Sequence, residues 1–240
     1  MRIVAIIQAR MGSSRLPGKI LMLLSGKPVL LHVIERVRLA GVFDEVVVAT
    51  TNRDIDDETA EFADTHGVTV IRGDEYDVLS RYGMAAKVTN ADLIMRITAD
   101  CPLIDPDILH DMVERYQAAG AALVTNARVR TFPRGLDAEL FSKAALDIML
   151  SEAQLPEERE HVTPFLYANP DRFDIIDHIA SVDNSDLRLT LDTKEDFDLL
   201  QRIFGSTQYP EQLRLDDVLT LLSANSKWLT INAHIEQKKA

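Results

Sequence analysis

The apolar residues of this chain fall into short runs separated by helix-periodic stretches, and that alternation limits the fold more than any other feature. Runs at 3–7, 45–49, 69–71, 93–97, 122–125 and 187–191 have the length of buried strands. The stretches 28–39, 55–66, 77–88 and 106–119 carry helical spacing and end on glycine, asparagine or a polar turn. Such alternation implies βαβ units, so the expected fold class is α/β: a mostly parallel sheet with helices on both faces. Sheets of this kind bind ligands at the carboxyl ends of their strands, which makes the residues after each run the functional candidates. The rhythm breaks from 128 to 181, where Phe132-Pro133-Arg134-Gly135, Leu155-Pro156 and Asn169-Pro170 act as punctuation. We expect an inserted irregular lobe there, covering a substrate or pairing with another subunit, within one domain spanning 1–240. Near the end, 216–222 reads as a helix and 228–232 as strand-like, followed by a polar tail.

Behind the first run stands Gln8-Ala9-Arg10-Met11-Gly12-Ser13-Ser14-Arg15-Leu16-Pro17-Gly18-Lys19, a basic loop with two glycines. Glycines let the backbone approach an oxyanion, free N–H groups and the positive end of the next helix face it, and Arg10, Arg15 and Lys19 add full charges. A strand-to-helix turn with solvated charges is the plainer explanation, and three cations in one turn argue against it. The loop is no P-loop: five residues separate Gly12 from Gly18, and Ile20 follows Lys19 where that motif needs a Ser or Thr for magnesium. No G-x-G-x-x-G is present either. Metal ligands must come from elsewhere.

Charge sharpens this. The first 34 residues hold five Lys/Arg and no acid, whereas the chain sums to −12, so the remainder carries −17. A positive pocket in an acidic protein suits a compact polyanion and excludes a long nucleic acid as partner. No apolar stretch approaches a membrane span or a signal-peptide core, which points to the cytoplasm and away from the membrane. The single cysteine, Cys101, excludes a disulfide framework and a multi-cysteine zinc site; with no histidine nearby it reads as a packed residue.

Two aspartates stand just beyond apolar runs: Asp100 in Arg96-Ile97-Thr98-Ala99-Asp100-Cys101-Pro102 and Asp192 in Leu189-Thr190-Leu191-Asp192-Thr193. Two carboxylates at one sheet edge can share a hard cation, with magnesium completing its shell from water and phosphate. Asp192 also fits a helix start, with Thr193 and Asp196 as a capping pair. Asp105-Pro106-Asp107 resembles an Asp-x-Asp metal motif, yet Asp105 as N-cap with proline at N1 explains it more simply. In the irregular stretch, Arg134-Gly135-Leu136-Asp137-Ala138-Glu139 suits an anionic small molecule and equally a solvated turn. His161, without a second histidine at helical spacing, reads as a hydrogen-bonded structural residue when taken alone.

The first loop, Ala49-Thr50-Thr51, Asp77-Val78-Leu79-Ser80-Arg81-Tyr82, the Asp100 motif and Leu191-Asp192-Thr193-Lys194-Glu195-Asp196 together resemble the cytidylyltransferases that activate acidic sugars. This is the superfamily of the CMP-KDO and CMP-sialic acid synthetases, and the chain most resembles its spore coat polysaccharide biosynthesis F type, over roughly residues 2 to 203. The resemblance implies a nucleotide-diphospho-sugar transferase-like fold and a homodimer. It implies a CTP site in which Arg10 and Lys19 hold the triphosphate and Gln8 and Ala9 lie near base and ribose, with Gly12, Ser13 and Arg15 in the same loop and Arg81 against the nucleotide. Asp100 and Asp192 match the family's magnesium-binding pair, so Mg²⁺ is the implied cofactor, and Arg10, Lys19 and Asp100 the catalytic set. Arg134, Asp137, Glu139 and His161 are the implied contacts to the sugar. The chain departs from the KDO-specific pattern at Thr98-Ala99-Asp100-Cys101-Pro102, where those enzymes carry a Gln-Gly-Asp-Glu-Pro type of sequence. The implied reaction is in-line attack of an acidic sugar hydroxyl on the α-phosphate of CTP with loss of pyrophosphate. A glycosyltransferase using Asp105 and Asp107 for metal, and an inactive nucleotide-binding partner, are the alternatives.

Overall fold

The computed structural model describes residues 1–236, which leaves the end of the polar tail, 237–240, outside the described residues. Strand β1 (Ile3–Gln8) is apolar from Ile3 to Ile7 and lies inside the sheet, flanked by neighbours on both sides. Its side chains divide by parity: Ile3, Ala5 and Ile7 enter one core and Val4 and Ile6 the other. A strand covered on both faces requires this, because successive Cβ atoms point to opposite sides.

A 3₁₀ turn (Lys19–Leu21) follows the first loop, then a small antiparallel pair, β2 (Leu23–Leu24) and β3 (Lys27–Pro28), and only then helix α1 (Val29–Leu39). A 3₁₀ turn and not an α-helix therefore follows the basic loop directly, contrary to expectation, and Arg10, Arg15 and Lys19 supply its full charges. Next come β4 (Glu45–Thr51), α2 (Asp57–Thr65), β5 (Thr69–Gly73), α3 (Val78–Thr89), β6 (Leu93–Thr98), α4 (Pro106–Ala119) and β7 (Leu123–Thr125). All stand within two residues of the positions the periodicity indicates. Asp105 caps α4 by accepting from the Asp107 N–H, with Pro106 in the first turn, as read from sequence.

About half of the stretch expected to be irregular lies in regular elements. It contains β8 (Glu139–Ser142), α5 (Lys143–Glu152), α6 (Pro156–His161), α7 (Pro164–Ala168) and β9 (Ile175–Asp177). Apart from α5, these elements have six residues or fewer, too short for periodicity to register against the surrounding prolines and glycines. The sheet order is β5-β4-β1-β6-β8-β7-β9, with β8 antiparallel to both neighbours and every other pairing parallel. Reversal of β8 brings residues 134–139 to the edge where β1, β4 and β6 end. One face is covered by α1, α4, α8 (Lys194–Phe204) and α9 (Leu215–Ala224), the other by α3, α5 and α7.

Two further expectations fail. Residues 187–191 form no strand but a single bridge, Arg188 to Arg134, with the Leu191 N–H donating to the Asp100 carbonyl at 2.8 Å. Gly135 permits the approach: at φ +100° an added Cβ would lie 2.5 Å from the backbone of Leu189 and Thr190. Residues 228–232 are not strand-like, since Ser226–Thr230 is a 3₁₀ helix closed by local bonds directly after α9. Finally, buried Arg36 of α1 donates to the carbonyls of Leu103, Ile104, Pro210, Glu211 and Leu213, tying the segment after Asp100 to the C-terminal region. Burial pulls its pKa down to about 10, still charged at neutral pH.

Candidate active site

The basic loop is held from below by β4 and the turn that follows it. The Met11 N–H donates to Asp56 Oδ1 at 2.7 Å, and the Thr51 hydroxyl donates to the other Asp56 oxygen. Within the loop, the Gly18 N–H donates to the Met11 carbonyl and the Leu16 N–H to Ser13 Oγ, while Gly18 takes the left-handed φ of 72° that turns the chain into the Lys19 turn. Ser13 thus serves the loop's own geometry, and Gly12 is exposed beside Glu75.

Lys19 points down to the sheet edge. Its Nζ lies 2.7 Å from Asp100 Oδ2 and 2.8 Å from Asp192 Oδ1, so two aspartates 92 positions apart in the chain converge on one ammonium. Burial opposes charge on Lys19, but the two carboxylates outweigh it and raise its pKa. Burial likewise opposes charge on Asp100, and Lys19 overrides it, holding Asp100 below its ordinary value. Asp192 Oδ2 receives two more cations at 2.9 Å, Arg15 and Arg188. Thr193 and Asp196 do form the capping box of α8, so the capping role belongs to them and leaves the Asp192 side chain to the cluster.

The donor set fits magnesium. Two aspartate oxygens already share a single small cation, and one or two carboxylates completed by phosphate and water is how proteins hold this ion. Among the described residues no group of three or more His, Cys, Asp or Glu gathers to form an all-protein cage. Asp105 and Asp107 are occupied otherwise: Asp105 accepts from the Asp107 and Leu215 N–H groups, and Asp107 pairs with Arg214. Asp105 is thus engaged in backbone capping, as the simpler reading of the triplet has it.

Beside the loop a small pocket of about 130 Å³ is lined by Gln8, Ala9, Arg10, Val78, Arg81, Glu160 and His161. Arg10 is loosely held, 3.5 Å from Glu160 and 3.9 Å from Glu75, and exposed enough to swing. Arg81 is buried, donating through Nη1 to the Asp74 and Glu75 carbonyls, while its Nε is buried without a partner among the described residues. Burial lowers its pKa without neutralising it at pH 7.

The four residues expected at a sugar do not form one group. His161 lines the pocket with Gln8 and Arg81. Glu139, the first residue of β8, is buried against β6, pairing with Arg96 at 2.6 Å and accepting from the Thr163 and Tyr167 hydroxyls, so its oxygens are already engaged within the protein. Burial and this carboxylate push the Tyr167 hydroxyl well above its ordinary pKa. Asp137 pairs with Arg130 at 2.5 Å. Arg134, half-buried, lines a separate cavity of about 390 Å³ with Leu187, Leu199 and Asn232.

Sequence reasoning missed Arg188 and Asp56. Arg188 was signalled only as a charge inside an apolar run, and Asp56 looked like one acid among several in an acidic helix start.

A family model described as cytidylyltransferase matches residues 4–226. A solved cytidylyltransferase from Leptospira borgpetersenii serovar Hardjo-bovis is 37% identical, with complete coverage of both chains and a TM-score of 0.91. The spore coat polysaccharide biosynthesis protein SpsF of Bacillus subtilis is 31% identical over 93% of this chain and 95% of its own length. A 3-deoxy-manno-octulosonate cytidylyltransferase of Yersinia enterocolitica is 32% identical over 67% of this chain and 66% of its own.

Proposed function

The chain belongs to the cytidylyltransferase family, and from that premise we propose that it transfers CMP from CTP to a hydroxyl of an acidic sugar, releasing pyrophosphate, with Mg²⁺ as cofactor. The observation that carries the reading is the convergence of Lys19, Asp100 and Asp192 at the foot of the basic loop. Asp100 and Asp192 would hold the magnesium ion, which when bound would neutralise phosphate charge as a Lewis acid.

The remaining work falls to this chain's side chains. Lys19, Arg15 and Arg10 bind the triphosphate, and Lys19 and Arg10 stabilise the departing pyrophosphate by charge. Gln8, Ala9, Arg81 and His161 surround base and ribose in the pocket beside β1. Little covalent chemistry is asked of the protein, because phosphoryl-type transfer is governed by alignment and charge. The acceptor's acidity is supported by the Yersinia relative, whose named substrate is a sugar carboxylate. Arg134, with Asp137 near it, would meet such a carboxylate.

A homodimer and a cytoplasmic location belong to the same reading. Exposed Val129, Ile179 and Val182, on neighbouring segments joined through Thr131, offer an apolar contact for a second copy. No helix among the described residues is long and apolar enough to cross a membrane. The test is pyrophosphate release from CTP, UTP, ATP and GTP against a panel of acidic sugars, with Mg²⁺ or with EDTA. CTP-specific, Mg²⁺-dependent release with at least one acidic sugar is expected. Transfer only from a preformed nucleotide sugar would replace this reading with the glycosyltransferase one.

A further inference from the structure

Residues 187–191 are no ladder strand, but the backbone before Asp192 is held by the Leu189 N–H on the Arg134 carbonyl at 2.7 Å and the Leu191 N–H on the Asp100 carbonyl at 2.8 Å, which leaves the aim of its side chain to be set by side-chain partners. Arg188, four residues earlier, sets its Nη2 2.9 Å from Asp192 Oδ2, an oxygen that Arg15 also meets at 2.9 Å, and Oδ1 is turned toward Lys19.

Arg188 is itself clamped. Its Nε donates to Asp196 Oδ1 at 2.8 Å and its Nη2 to Asp196 Oδ2 at 3.0 Å, the two-pronged geometry that only a guanidinium can offer. Asp196 is fully buried and accepts also from the backbone N–H groups of Asp192 and Thr193, both at the start of α8. The ring closes through Asn232 from the C-terminal segment, whose Nδ2 lies 2.9 Å from Asp196 Oδ1 and 2.9 Å from the Arg188 carbonyl. Burial opposes charge on Asp196, and Arg188 followed by Asn232 keeps its pKa below the ordinary range.

We propose that Arg188, Asp196 and Asn232 are positioning residues that aim Asp192 at the divalent cation, so that the C-terminal segment sets metal affinity at a site it does not touch. The proposal rests on the metal reading above. Outer partners that orient a ligand commonly change metal affinity by about 10- to 100-fold. Simple electrostatics predicts the opposite sign, because Arg188 repels a dication; Arg188→Lys separates the two by keeping the charge and removing the fork.

The experiment is Mn²⁺ binding to the whole protein, followed by electron paramagnetic resonance, with thermal melts of each variant. Arg188→Lys should weaken Mn²⁺ binding about tenfold or more. Asn232→Ala, which leaves every charge in place and covers the case in which Arg188→Lys does not fold, should weaken it about threefold, the smaller effect of losing one neutral donor. Unchanged Mn²⁺ affinity in folded Arg188→Lys and Asn232→Ala overturns the positioning role while the metal site stands. No saturable Mn²⁺ binding by the wild type, with or without CTP, removes the metal site and the positioning role together.

Discussion

Two clusters of opposite charge, one inside the sheet and one at its edge, differ in how far solvent reaches them. In one, Glu139 of β8 meets Arg96 of β6, Thr163 and Tyr167; the carboxylate side chain is 4% exposed and its oxygens take three donors. In the other, Lys19 stands between Asp100 and Asp192, with Asp100 26% exposed and three cations, Lys19, Arg15 and Arg188, facing three carboxylates, Asp100, Asp192 and Asp196. The sealed cluster fastens a reversed strand to the parallel sheet. The open one balances charge among its own side chains, and on the proposed function a triphosphate would draw Lys19 and Arg15 from the aspartates, which a divalent cation would then meet. Similar groups at similar distances thus do different work according to what can reach them.

The largest effects should divide the clusters cleanly. Asp100→Asn and Asp192→Asn should each lower kcat by about 100-fold or more, the scale of losing a charge-stabilising group, with melting temperature nearly unchanged. The double variant should be little worse than the poorer single, since the two act as one unit. Glu139→Ala should do the reverse. Stranding Arg96 in the core costs about 3–5 kcal/mol, and Tm in a thermal melt should fall by roughly 10 °C or more. A Glu139 variant that keeps its Tm but loses sugar dependence would restore the role the sequence suggested for it.

Lys19→Ala and Arg10→Ala should each weaken CTP binding about tenfold in titration calorimetry, the value of one charge-assisted contact. Chelating divalent cations should weaken CTP binding to the wild type by a similar factor of about ten, because Lys19 and Arg15 are then retained by the aspartates. Smallest of all, Arg134→Ala should raise the sugar KM several-fold while CTP affinity changes by less than about threefold. A large loss of CTP affinity there would merge the sugar and triphosphate regions.

The fold and the open cluster were legible in the sequence for the same reason. Runs such as 93–97 are apolar because both faces of the sheet are covered, and Asp100 draws notice by interrupting that logic at a strand end. Glu139 broke the same rule but stood among prolines, glycines and other charges, so its place in a four-residue strand had no periodicity to reveal it. Its partner Arg96 lay inside the 93–97 run, where a lone charge in a buried strand was itself the missed signal. Arg188 in 187–191 repeats the case. Short-range pattern shows which segments are buried; it does not show which distant carboxylate a buried cation has found.

The most direct test compares wild type, Asp192→Asn and Glu139→Gln side by side for pyrophosphate release from CTP with an acidic sugar and Mg²⁺, each with a melting curve. Rapid release by the wild type and a loss of about 100-fold in Asp192→Asn at unchanged Tm are expected. Glu139→Gln should lower Tm while the folded protein retains most of its rate. Asp192→Asn turning over as fast as the wild type, or Glu139→Gln losing its rate at unchanged Tm, would contradict this reading.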